Sequence, residues 1–314
     1  MKSTLTKLGA ISLVAALFLG LLVSCTTTPE SAPPVTPVIT DQLGRTVTLA
    51  TANPQRIVSL APSHTEILYA LGLGDRLVAR TEYCNYPPEV KEKPSIGGFS
   101  TPNIEEVVAM DPDLVLATEI HEDKVITQLE SKGLTVVALN PKTIDEVMES
   151  ITLIGKVTGA EKEAVTLVAE MQSRIKAVTD KTSGLALEEK PKTFYVVWFG
   201  DEGLMVAGSG TLQNELIAMA GGRNIGIEVS DYANIDIETA IVMNPAVIIV
   251  DSGHGSGGDQ TFQYIITEAR LKDTDAIRKN QAYPIDSDLA TRPGPRIVEG
   301  LEQFARFIHP ELFK

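Results

Sequence analysis

Thiols, imidazoles, aromatic rings and positive charge are all scarce in this 314-residue chain, and each scarcity narrows what it can be. Cys25 and Cys84 are the only cysteines. With Cys25 assigned below to the N-terminal region, Cys84 has no partner and reads as a small packing residue rather than a reactive thiol. Residues 39–314 must therefore be held by apolar burial, and they suffice for two α/β lobes. Basic residues number 27 against 41 acidic, a net charge of −14. That balance argues against nucleic acid, or a bare anionic bilayer, as partner. The four histidines are His64, His121, His254 and His309, and no two of them have short metal-ligand spacing. His64, His121 and His254 each follow an expected strand, so with an acid they could build a tetrahedral zinc or manganese site. That reading is the weaker alternative, and no metal residues are assigned.

Enzymatic signatures are missing too. The glycine-rich "DSGHGSGG" (251–258) is the one stretch suited to an exported hydrolase, but His254 stands where a nucleophile elbow needs glycine. It has no Lys-Ser or Lys-Thr pair, so it is no phosphate-binding loop. "GLGDRL" (72–77) lacks the third glycine of a dinucleotide fingerprint. Residues 251–258 read as a loop at a cleft rim, and no catalytic residue is assigned.

What is present begins with a leader. Lys2 and Lys7 precede the uncharged run "LGAISLVAALFLGLLV" (8–23). This is shorter than the ~20 residues of a membrane span and fits a secretory signal over 1–24. The run ends in Leu22-Val23-Ser24-Cys25, which resembles a lipobox, so Cys25 is the expected lipidation site. The Thr- and Pro-rich segment 25–38 reads as a tether. Removing 1–24 takes two lysines and no acids, leaving −16. The expected mature protein is exported, anchored to a membrane by lipid alone, and monomeric.

Beyond the tether, strand-length apolar runs alternate with helical patterns. "RIVSLA" (56–61), "RLVAR" (76–80), "DLVLAT" (113–118) and "TVVALN" (135–140) read as strands, as do "TFYVVWF" (193–199), "AVIIVDS" (246–252) and "AYPIDS" (282–287). This predicts an α/β fold of two similar lobes, 39–158 and 186–314, with mostly parallel sheets flanked by helices. Residues 160–181 keep helical spacing without Gly or Pro. With the preceding "TIDEVMESITLIGKVTG" they predict one long bridging helix, assigned to 159–185, and a stiff hinge. A ligand cleft is expected between the lobes, at the carboxyl ends of the strands.

The chain also repeats itself. "NIEEVVAMDPDLVLA" (103–117) aligns without a gap on "DIETAIVMNPAVIIV" (236–250), and "EILYALG" (66–72) echoes "ELIAMAG" (215–221). Asn103 and Asp236 are the expected helix caps, with Glu106 completing a capping box in the first copy. Glu105 and Glu238 then remain in the first turns. They either decorate the helix dipole or present two symmetric carboxylates to a two-fold partner with basic pockets.

Taken in order, "DQLGRTVTL" (41–49), "PQRIVSLAPSHTEILYALG" (54–72), "YCNYPPEV" (83–90), "IEEVVAMDPDLVLA" (104–117) and "RPGPRIVEGLEQF" (292–304) resemble the substrate-binding component of ABC importers for cobalamin, haem and ferric siderophores. The likeness covers nearly all of 40–314 and is strongest to the family's cobalamin binders. It implies no bond chemistry. Glu105 and Glu238 would pair with arginines of the permease dimer. Tyr83, Phe99, Met205, Tyr232, Asp288 and Arg292 would line the cleft, and Thr118 replaces a family tryptophan there. Read from the residues alone, Tyr83, Phe99 and Tyr232 suit cleft contact as loop aromatics. Trp198 faces the cleft or packs the core, and Arg292 meets ligand or pairs with Asp288. The implied cargo is a corrinoid, cobalamin or cobinamide, with haem or a ferric siderophore as alternative.

Overall fold

Short apolar runs make short strands. The computed structural model describes residues 37–253 and 259–314. The leader, Cys25, the tether to residue 36, and His254 lie outside them. β1 (Val38–Thr40) and β2 (Thr46–Thr48) pair as an antiparallel hairpin. β3 (Ile57–Ser59), β4 (Leu77–Arg80), β5 (Leu114–Ala117) and β6 (Val136–Ala138) form a parallel sheet ordered β4-β3-β5-β6. A second sheet holds β7 (Lys192–Gly200), β8 (Gly203–Ala207), β9 (Arg223–Asn224), β10 (Tyr232–Ile235), β11 (Val247–Ser252) and β12 (Ala282–Asp286). Its order is β10-β8-β7-β11-β12, with β9 beside β7. β3, β5 and β6 are buried at every position, which is why they read as unbroken apolar runs.

Helices cover both sheets: α1 (Pro62–Ala70), α2 (Ile104–Ala109), α3 (Thr127–Ser131) and α4 (Ile144–Thr158) in the first half, then α5 (Glu161–Thr182). The second half adds α6 (Leu212–Met219), α7 (Ile237–Met243), α8 (Gln260–Thr267), α9 (Asp275–Arg278), α10 (Ser287–Ala290) and α11 (Ile297–Ile308). Three apolar clusters result. Val58, Val115 and Leu129 belong to one, and Phe194, Val206 and Ile248 to another. The third is continuous from Ile57 and Ile67 through Ile151, Ala164 and Met171 to Leu216, Leu301 and Phe304. Both halves thus share a core built on α4, α5, α6 and α11, and spreading the sheets would part that core.

Three details differ from the sequence expectation. The helical stretch before residue 160 does not run on into α5: Gly159 takes φ 71 and ends α4. The two helices then pack so closely that a Cβ on Gly155 would stand 2.5 Å from that of Ala164. The second sheet is mixed, because β8 runs antiparallel to β7 and β10 antiparallel to β8. Asp201-Glu202 turns β7 into β8 without an Asn-Gly signal, and Gly203 supplies φ 108. Finally, Asn103 Oδ1 accepts from the N–H groups of both Glu105 and Glu106, and no reciprocal bond from Glu106 completes a capping box.

The echoes persist in the backbone. Asp111 and Asn244, at equivalent places after α2 and α7, both adopt φ 46, and Gly72 and Gly221 close the other repeat at φ 73 and 80. The "DQLGR" motif explains itself as an edge cover. Asp41 Oδ2 accepts from Ala138 N–H and Arg45 Nη2 donates to the Val136 carbonyl, so the outer strand β6 is not left open.

Candidate functional site

Strands β3 and β5 end, and α1 begins, at one cleft of about 390 Å³. Its walls bring together Tyr83, Phe99, Thr118, His64, Asp288 and Arg292, with Ala61, Leu139, Pro141 and Pro293 supplying apolar surface. Four of the seven cleft residues expected from sequence therefore meet here, two from each half of the chain.

On the first half, His121 fixes the loop that carries Phe99. Its Nδ1 accepts from Thr118 N–H (3.1 Å), so the proton lies on Nε2, which donates to the Phe99 carbonyl (2.7 Å). The Phe99 and His121 rings meet edge-on at 5.5 Å. With both nitrogens used, His121 is not free to hold a metal. His309 lies against Gly221 and Glu311, at the end of α11. Among the described residues no group of three or more His, Cys, Asp or Glu is placed to hold an ion. His64 is buried at the cleft with Nδ1 unpartnered. Burial, reinforced by His121, pushes it down to about 3, so it is neutral.

On the second half, Arg292 is tied down. Its Nη2 meets Asp288 Oδ1 at 2.7 Å and donates to the Tyr83 carbonyl at 3.2 Å. Its Nη1 reaches Asn85 Oδ1 at 2.7 Å and Glu66 Oε1 at 3.1 Å. Glu66 also accepts from Arg296 Nη2 (2.6 Å) and Nε (2.9 Å), and the Arg296 guanidinium lies 4.0 Å from the Tyr86 ring centre. Asn85 Nδ2 closes the network on Asp288 Oδ2 at 3.0 Å. Arg292 thus pairs with Asp288 and still lines the cavity.

The other three expected residues sit apart from this cavity. Trp198 and Met205 are cross-strand neighbours on β7 and β8. Trp198 is 47 % exposed, so core packing does not account for it; its ring lies over Gly200 and beside Phe199. Tyr232 opens β10, and its hydroxyl donates to Gln213 Oε1 (2.9 Å), whose Nε2 donates to the Ala290 carbonyl (3.1 Å). Tyr232 thus connects to α10, the segment bearing Asp288. Nearby, Tyr195 donates to the buried carboxyl of Asp251 at 2.9 Å.

Glu66, Asn85 and Arg296 were not anticipated as site residues. A signal existed: Glu66 is a lone acid inside the apolar "TEILYALG", and "RPGPR" carries a second arginine. Glu105 and Glu238 both lie exposed in the first turns of α2 and α7. Glu105 has no side-chain partner among the described residues. Glu238 lies 3.5 Å from Arg270, which is held more closely by Glu268 at 2.9 Å.

The periplasmic binding protein family model matches residues 57–289. An ABC transporter substrate-binding lipoprotein of Bacillus subtilis, YvrC, is 33% identical over 287 residues, covering 89% of this chain and 88% of that protein. Among solved structures, the vitamin B12-binding protein BtuF of Vibrio cholerae is 26% identical, with a TM-score of 0.68 over 82% of this chain and 97% of that one. The heme-binding protein RhuT of Roseiflexus is likewise 26% identical, with a TM-score of 0.72 over 82% and 98%.

Proposed function

Given that this chain belongs to the periplasmic binding protein family, and serves as the substrate-binding component of an ABC transporter, we propose that it captures a corrinoid, cobalamin or cobinamide, and delivers it to the permease. The carrying observation is the cleft wall. It offers a largely apolar lining with Tyr83 and Phe99, and its only arginine is already neutralised. A macrocycle with uncharged amide arms suits such a wall better than one with carboxylates. The vitamin B12-binding relatives add support, while the haem-binding ones keep haem as the alternative cargo.

In this reading 39–158 and 186–314 are the lobes and 159–185 the bridge. The shared core keeps the cleft nearly preformed, so little binding energy is spent on closure. Met205, Trp198 and Tyr232 form the opposite lip, reached by the parts of a large ligand that project from the cleft. Glu105 and Glu238 dock on the permease dimer, and Cys25 carries the lipid that holds the monomer at the outer face of the membrane.

The test is calorimetric titration of residues 36–314, one compact unit, with cyanocobalamin, dicyanocobinamide, haemin and a ferric siderophore. Saturable one-to-one binding of a corrinoid, with haemin bound far more weakly, is the expected result. Binding of haemin or siderophore alone would discard the corrinoid and keep the carrier role.

A further inference from the structure

We propose that Glu66 is a specificity-determining positioning residue: by neutralising Arg292 and Arg296 across the two halves of the chain, it keeps the cleft wall free of net positive charge and so biases the cleft against anionic ligands. This rests on the reading of the cleft as a carrier site for a large metal complex.

Glu66 lies in α1 between the buried Thr65 and Ile67. Its side chain is 2 % exposed, those of Arg292 and Arg296 11 % and 13 %, and that of Asp288 9 %. Two carboxylates thus face two guanidiniums, and the sum is zero. In a site this dry, an unbalanced charge acts on a neighbouring ligand far more strongly than at a free surface. His64, the other titratable group of the wall besides Tyr83, is neutral. The start of α1 has no side-chain cap and adds a partial positive charge, but that contribution is the same in every variant below. Glu66 is the only member of the network that holds both arginines at close range: Arg296 stands 2.6 Å from Glu66 and 4.0 Å from Asp288. Glu66 does not line the cavity, so it acts through Arg292.

The experiment compares haemin, with two propionates, against dicyanocobinamide, uncharged at its centre and amide-armed, on residues 36–314. Glu66→Gln leaves the wall one charge positive, and the haemin-to-cobinamide affinity ratio rises, by roughly five- to tenfold at low salt. Arg296→Gln leaves it one charge negative and lowers the ratio by a similar factor. The double substitution restores balance and returns the ratio toward the parent value. High salt shrinks each shift. A merely structural role would weaken both ligands together in both single variants. Ratios that stay put, or move in the same direction in both, overturn the inference. If the parent binds neither tetrapyrrole, the cargo reading fails separately. The same variants are then titrated with a ferric tricatecholate and a ferric trihydroxamate, which differ in charge, and the same opposed shifts are required.

Discussion

Replacing Asp251 by Asn should stabilise the protein at neutral pH and leave it unchanged in acid. Asp251 is 4 % exposed and accepts the Tyr195 hydroxyl at 2.9 Å. Burial raises its carboxyl from 3.8 to about 7, partly opposed by the Tyr195 hydrogen bond and helped by Asp286 and Asp288. Between those values the folded chain holds a proton that the unfolded chain releases, so stability falls as pH rises through that window. Each pH unit of the window is worth about 1.4 kcal/mol, about 4 kcal/mol in all as an upper figure. Asparagine mimics the protonated acid and keeps an oxygen for Tyr195. The stability difference between Asp251→Asn and the parent should therefore be near zero at pH 4 and grow steadily. By pH 7.5 it should plateau at a gain of about 2–4 kcal/mol. His64 works in the opposite sense. Its imidazole falls from 6.5 to about 3, so it contributes stability that is present above 6.5 and lost as pH falls toward 3. The two nearly cancel between pH 4 and 6.5, and the parent profile hides both. Urea unfolding followed by circular dichroism from pH 4 to 8 reads the difference directly. A difference that is flat with pH, or a variant less stable than the parent at pH 7.5, refutes the assignment of a buried, proton-holding Asp251.

Charge reversal of Glu105 and Glu238 together should leave corrinoid affinity within about twofold and abolish uptake in vesicles holding the permease, since both carboxylates are exposed and neither lines the cleft; weakened ligand binding or normal transport would discard the docking role. Phe99→Ala should cost roughly tenfold in ligand affinity with little loss of fold, because the His121 hydrogen bond to the Phe99 carbonyl survives loss of the ring and only the edge-on ring contact goes; unfolding, or unchanged affinity in calorimetry, would show that the ring serves the loop and not the ligand.

Strand-and-helix alternation made the architecture legible, because buried parallel strands write themselves as apolar runs such as "DLVLAT" and "AVIIVDS". What escaped was carried by single residues. Gly159 breaks a pattern that is otherwise helical on both sides, and Asp201-Glu202 turns a hairpin that no common turn dipeptide announces. The site was half legible for a similar reason. Tyr83 and Arg292 fall in motifs whose order could be matched, and Phe99 and Asp288 were placed by their spacing from those motifs. Glu66 and Arg296 stand 230 positions apart, and nothing local says that they touch.

The repeated glutamates carry that lesson further. The repeat reproduces much of their backbone setting: both follow an Asx cap, and a residue with φ 46 stands at the equivalent place beyond each helix, Asp111 and Asn244. It does not reproduce their surroundings. Glu238 has Arg270 within 3.5 Å, whereas Glu105 has no side-chain partner among the described residues. An exposed pair at that distance is weak and screened by solvent, so on the proposed docking Arg270 would yield readily to a permease arginine. A duplicated sentence in a sequence therefore reports where the chain turns. If both copies dock as proposed, which binds first, and how tightly, is set by neighbours that the repeat does not copy.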